Sequence, residues 1–232
     1  MIINEIQATA SPRDLLVVDA ERPLVDLANH ELWQTALSGE MSRDCVARLL
    51  LLLYPVVAGP GRYLFSAKLS QISPEDGAQL FRQLYEAEQN PVADADVGWR
   101  AVGMALGVAE YKFDEVSKNL HPAAADFLAI MRQHSLRSSP SAAATVAWAI
   151  ERQLPRLWGG FADSLAANYD VPEDSLAHLR YHAARSEEVE GWIEQLLQRY
   201  FDTAETYAVF EARRALWEAV WAWTALIESL DS

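Results

Sequence analysis

Cysteine occurs once in 232 residues, at Cys45, so no intrachain disulfide can staple the fold, and the composition suits a reducing, cytoplasmic setting. Basic residues are also scarce. Nineteen Lys and Arg stand against 33 Asp and Glu, a formal charge of -14. Binding to nucleic acid or to an anionic membrane needs clustered Lys and Arg to meet phosphates, and no such cluster is present, so neither partner is expected. The acidic excess reads as a solvated surface. Long apolar runs are missing too. The longest, Leu49 to Ala58, is broken by Pro55 and falls far short of the ~20 residues a membrane helix requires. The opening stretch, MIINEIQATASPRD, lacks a basic start followed by an apolar run, so no signal or transit segment is expected and the protein reads as soluble. There is no Gly-rich phosphate loop, Cys-x-x-Cys, His-Glu-x-x-His or Gly-x-Ser-x-Gly, which removes the chemistries those patterns carry. Internal repeats, low-complexity tracts and convincing strand pairs are absent as well.

What is present is helix. Hydrophobic residues make up 51% of the chain, with eight Trp, enough for one sizeable core. Residues 1–20 read as a polar arm with at most a short helical turn, and residues 21–232 as a single all-α domain. From Leu24 the apolar residues Leu27, Leu32, Trp33 and Leu37 recur near a period of 3.6 up to Gly39. Ser42 then caps a second helix, CVARLLLLLYPVV, apolar nearly all round and so expected to be central, with a kink at Pro55. Ser73-Pro74-Glu75-Asp76 starts a third helix that ends at Asn90-Pro91, and a fourth carries Trp99, Val102 and Leu106. A loop follows Phe113, and a helix begins near His121-Pro122. Ser138-Ser139-Pro140-Ser141 breaks the chain before AAATVAWAIERQLP without marking a domain boundary. At the C-terminal end Trp217 and Trp221 lie four apart on one helical face; core packing is expected for them, and a homodimer contact is the other reading.

The stretch LAHLRYHAARSEEVEGW, Leu176 to Trp192, holds the most chemistry. On a continuous helix His182, Ser186 and Val189 would line one face over two turns. An inward His needs a hydrogen-bond partner, a carboxylate or a metal. His178 adds an i, i+4 imidazole that could ligate jointly with His182 or simply pack beside it.

This stretch resembles the signature helix of the haem-oxygenase-like iron oxidases, relatives of the TenA and PqqC families, whose pattern runs His-x-x-x-Asp-x-x-His. His182 matches the first ligand, while Ser186 and Val189 stand at the Asp and the second His. Glu187-Glu188 and Gly191-Trp192 fit the surrounding pattern. The segment HELWQTALSGEMSRDCVARLLLLLYPVVAGPGRYLFSAKLS is similar to the opening of TenA and PqqC relatives. Counting back from Ala105-Leu106-Gly107 places the family's Glu at Glu88 and its next His at Ala95, and a further family Glu, before a Leu-Pro, at Glu151.

The resemblance implies a haem-oxygenase-like bundle of about seven helices around a central cavity. It implies catalytic or metal-holding roles for Glu88, Glu151 and His182, and a lining of Tyr54, Tyr63 and His178 around a bound small molecule. With Ala95, Ser186 and Val189 at ligand positions, the di-iron site is expected to be degenerate, holding no iron or holding it weakly. An oxidase- or oxygenase-type protein of small-molecule metabolism is the leading expectation, with acid–base chemistry by Glu151 and His182 available without metal. A non-catalytic ligand-binding or partner protein of a biosynthetic pathway is the alternative. The thiaminase branch needs a nucleophilic cysteine, and Cys45, in the leucine-rich helix, does not match that position.

Overall fold

The computed structural model describes residues 12–59, 73–79, 90, 92–202 and 206–231, and every regular element among them is helical. Helices α1 (Pro12–Ala28), α2 (Glu31–Ser38) and α3 (Arg43–Val57) open the chain, and residues 79 and before, back to 74, form a further helical stretch. Then come α4 (Ala95–Ala105), α5 (Tyr111–Lys118), α6 (Pro122–Arg137), α7 (Pro140–Tyr169), α8 (Glu173–Ala184), α9 (Ser186–Asp202) and α10 (Thr206–Glu228), closed by a 3-10 turn at Ser229–Asp231. No helix among the described residues is long and apolar enough to cross a membrane.

Several boundaries follow from local chemistry. Ser42 and Ser139 accept the amides of Cys45 and Ala142 through their hydroxyls, each satisfying a donor that a helix start leaves over. Pro140 and Pro122 sit at first-turn positions where no amide hydrogen is needed. Gly39 ends α2 at φ 78, and a Cβ there would lie 2.4 Å from the Asn168 side chain. Both the left-handed backbone and the close approach require glycine.

Other boundaries differ from the sequence expectation. The polar arm over residues 1–20 is helical from Pro12 onward, and its Leu16 and Ala20 are buried, because LLVVDA carries enough apolar surface to dock. The helix running from Leu24 to Gly39 is two helices. His30 leaves the spiral, and its Nδ1 accepts the Leu32 amide at 3.3 Å to cap α2. The loop after Phe113 is instead α5, anchored by the fully buried Phe113 ring. Trp217 and Trp221 are not core: they are 38% and 66% exposed on the outer side of α10, while Ala215, Leu216, Ala219 and Trp223 on the other side are buried.

The spine of the bundle is α7, which packs against α1, α2, α6, α8, α9 and α10. Residues 141–149 are buried on every side. Ala142, Ala143, Ala144, Ala147 and Ala149 are small enough for α9 and α10 to approach closely, and the buried hydroxyls are satisfied: Ser141 Oγ donates to the Tyr200 carbonyl at 3.1 Å and Thr145 Oγ1 to the Ser141 carbonyl at 2.7 Å. Helix α3, expected at the centre, has Leu51, Leu52, Val56 and Val57 only partly buried. Bulky side chains hold neighbours off where an alanine run lets them close in.

Candidate functional site

The two histidines of α8 face the N-terminal end of α4. The helices meet at Gly98, where a Cβ would lie 2.2 Å from the Cβ of His178, so the α4 backbone rests directly on the imidazole-bearing face. His178 is buried and His182 partly so. Their rings meet edge-on, centroids 4.4 Å apart at 61°, and Tyr181 covers His182 at 5.3 Å. The turn before α4 is held by its own side chains. Asn90 Oδ1 accepts the Val92 amide at 3.1 Å, and Asp94 Oδ1 accepts the amides of Asp96 and Val97 at 2.8 and 3.2 Å. This fixed turn aims two successive carbonyls at α8: Val92 O lies 3.2 Å from His178 Nδ1, and Ala93 O lies 3.2 Å from His182 Nε2. A carbonyl only accepts, so the hydrogen sits on Nδ1 of His178 and on Nε2 of His182. In the neutral rings the basic nitrogens are then His178 Nε2 and His182 Nδ1.

Ala95, the expected ligand position on α4, is buried two residues beyond the carbonyl bonded to His182. Ser186 and Val189 do not lie on α8. The expected continuous signature helix is interrupted at Arg185, at φ -98 and ψ 3, and both residues belong to α9. The interruption is clamped: the Arg185 guanidinium donates to the Tyr181 hydroxyl at 2.7 Å and to both Glu188 oxygens at 3.3 Å, and its amide closes a tight turn onto the His182 carbonyl at 3.3 Å. Glu151 lies on α7, which approaches α8 where Gly159 faces Ala183, but its side chain is outside the described residues. Glu88 and Tyr63 also lie outside them. Among the described residues no three His, Cys, Asp or Glu side chains assemble a group that could hold a metal ion.

Tyr54 is on the other flank of α4. Its hydroxyl donates to Asp96 Oδ1, its ring packs edge-on to Phe113 at 4.9 Å, and the Arg100 guanidinium lies 5.3 Å from its centroid. Arg100 in turn bonds Asp96 at 2.7 Å and Asp114 at 2.6 Å. Burial, and then the bond to Asp96, push the Tyr54 hydroxyl far above the ordinary tyrosine range, so it acts as a fixed donor. Asp96 stands about 200° round the helix from Gly98. Tyr54 and the histidines therefore do not converge.

Beneath Ala95, one turn on, Trp99 begins an aromatic wall. It meets Trp158 of α7 at 5.4 Å and 80°, and Trp158 meets Trp33 of α2 at 6.4 Å. Among the described residues the buried indole N–H groups of Trp33 and Trp99 find no hydrogen-bond acceptor. Each fully buried ring contributes on the order of 1.5–3 kcal/mol.

Two polar clusters were missing from the sequence expectation. His134 is fully buried, with Nδ1 3.0 Å from Ser138 Oγ and Nε2 2.9 Å from Glu218 Oε2. Asp76 is buried against Arg199 and the Tyr200 hydroxyl. The i, i+4 spacing of His134 to Ser138 could have flagged half of the first network. Partners as remote as Glu218 leave no local trace.

No protein-family model matches the chain, and no curated protein matches it. Among solved structures, the TenA homologue protein from P. horikoshii OT3 is similar at a TM-score of 0.70, covering 95% of this chain and 98% of that one at 13% identity. The chain thus has a TenA-like, all-helical fold along almost its whole length.

Proposed function

We propose that the chain is a TenA/PqqC-like protein of small-molecule metabolism, oxidase- or oxygenase-like, whose interior works through its histidine pair instead of a full ligand set for two irons. The observation that carries this reading is the seating of His178 and His182 on the turn before Ala95. Ala95, which the resemblance matches to a ligand of the family, carries only a methyl group, while the imidazoles beside it are oriented by backbone carbonyls. His182 is suited to move a proton. Its Nδ1 is the basic nitrogen, and the Nε2–H bond to Ala93 steadies the ring and favours the imidazolium that forms when Nδ1 takes a proton. Glu151, from α7, is the companion acid in this proposal, with His178 closing the site on the α4 side.

Iron is expected to be absent or weakly held, because Ala95 and Val189 offer no donor atom and Ser186 offers a poor one. The test is anaerobic reconstitution with Fe(II), desalting and metal analysis. Less than one iron per chain is expected, and two irons retained per chain would refute the reading. A second reading, a non-catalytic ligand-binding or partner protein, is favoured by the break at Arg185, which puts Ser186 and Val189 on a different helix from His182. Substituting His182→Ala separates the two. Turnover of a redox-active small molecule with O2 should be lost if the pair does chemistry, whereas binding that persists unchanged supports the second reading.

A further inference from the structure

A serine, a histidine and a glutamate stand in line on α6 and α10, on different helices from the α8 histidines. Ser138 closes α6 at φ -84 and ψ 171, one residue before the cap of α7. Its Oγ lies 3.0 Å from Nδ1 of His134, and the other ring nitrogen, Nε2, lies 2.9 Å from Glu218 Oε2. The second oxygen of Glu218 pairs with Arg214 at 3.4 Å. A carboxylate oxygen only accepts, so the imidazole hydrogen sits on Nε2 and Nδ1 is left as the base. The Ser138 hydroxyl therefore donates to Nδ1. His134 has no exposed surface, whereas Ser138 is 6% exposed and the Glu218 side chain 30%. The array is closed in the middle and meets solvent at both ends.

We propose that Ser138 is a nucleophile activated by His134, with Glu218 as the positioning acid, and that this array hydrolyses short acyl esters. A hydroxyl whose hydrogen is aimed at a base, and a base whose far nitrogen is fixed by a carboxylate, are the roles that activate a serine, whichever ring nitrogen fills each. The start of α7 adds to them. Ser138 immediately precedes this 30-residue helix, whose positive end favours negative charge on an attacked carbonyl oxygen. The Ser139 amide is taken by Glu211 and the Ala142 amide by Ser139 Oγ, and Pro140 has none, so the Ser141 amide is the donor for that oxygen. Leu136 and Arg137 are exposed and Ser139 is half-buried, so an ester approaches from solvent over the break between α6 and α7. The small opening at Ser138 restricts it to a short acyl group. In the first step Ser138 Oγ bonds to the carbonyl carbon while its hydrogen passes to His134 Nδ1. The ester C–O bond then breaks, and the leaving alcohol takes that hydrogen. Water attacks acyl-Ser138 in the same way, releasing the acid and restoring the hydroxyl. Throughout, the imidazolium that forms is paired with Glu218.

The test uses the full chain and p-nitrophenyl acetate. Release of p-nitrophenol is expected, and after an acid quench peptide mass spectrometry should find an acetyl group on Ser138. Ser138→Ala should slow the release about a hundredfold or more, with the helical circular dichroism unchanged. Glu218→Gln should lower kcat about tenfold and leave KM as it was, because Glu218 touches His134 and not the ester. Acetyl groups found only on residues other than Ser138 overturn the proposal. So does a folded Ser138→Ala protein as fast as wild type, or an unchanged kcat in Glu218→Gln. The acetylation readout needs no substitution, so it decides even where a variant does not fold.

Discussion

At the scale of single residues, the buried contact between Tyr200 and Asp76 has a measurable pH signature. The Tyr200 hydroxyl donates to Asp76 Oδ2 at 3.3 Å, and Arg199 pairs with the same carboxylate. Burial first, then the Asp76 charge, push the phenol from 10.0 up to about 12. In the unfolded chain Tyr200 ionises near 10, so between pH 10 and 12 the unfolded state holds fewer protons than the native one, and stability falls as pH rises. The contribution is fully present below pH 10, and its loss across the window is on the order of 2 kcal/mol. Tyr54 and Tyr169 are raised by burial too and act with the same sign, so the quantity to measure is a difference. Urea unfolding of wild type and of Tyr200→Phe should diverge from pH 9 towards pH 12, with wild type losing more; parallel curves would remove Tyr200 as a source of the loss. The histidine pair of α8 is legible in the sequence at the same scale, because i, i+4 spacing alone puts two imidazoles on one stripe. That their hydrogens go to Val92 and Ala93 is not legible, since the turn carrying those carbonyls lies 86 and 89 residues away in sequence.

At the scale of elements, helix starts were readable wherever a hydroxyl or proline made them, as at Ser42, Ser139 and Pro122. The break between α8 and α9 was not. No Pro or Gly stands at Arg185, and the surrounding acids and alanines favour continuing the spiral; the interruption is held by bonds from the guanidinium to Tyr181 and Glu188, which periodicity cannot reveal. Arg43 ties ends together in a similar way. Standing at the first residue of α3, it donates to the Tyr169 carbonyl at the end of α7, to Ala105 O at 2.7 Å and to Leu106 O at 3.3 Å at the end of α4. Helix C-termini leave carbonyls over, and a cation there also meets the favourable end of the helix dipole. One side chain therefore closes two helices while beginning a third. Arg43→Ala should lower unfolding free energy by about 1–2 kcal/mol, discounted for its partial exposure to solvent. Arg43→Lys should recover only part of that, because a single ammonium cannot fork across two helix ends. Unfolding in urea checks both, and equal stability of all three proteins would show the carbonyls to be satisfied by water instead.

At the scale of the whole molecule, the TenA-like architecture was legible through a few motif residues spread from Trp33 to Trp192, and 13% identity with a similar structure shows how little sequence that fold demands. Which helix would be the spine was harder to read. Hydropathy favours the leucines of α3, yet the alanines of α7 win because centrality depends on how closely neighbours can approach. That choice has a consequence for folding. The break at Ser138 to Ser141 separates two stretches long enough to be halves, but α7 packs on α1 and α2 from the first and on α9 and α10 from the second, and α6 and α10 are bolted together by His134 and Glu218. Neither half keeps its buried face alone, so unfolding should be all-or-none. Buried Trp33 and Trp99 report on the first half and Trp148, Trp158 and Trp223 on the second. Tryptophan emission and far-ultraviolet circular dichroism should therefore pass through one shared urea midpoint, with equal calorimetric and van't Hoff enthalpies. A second midpoint seen by one probe alone would mean that the halves hold together by themselves and that α7 is not the common core.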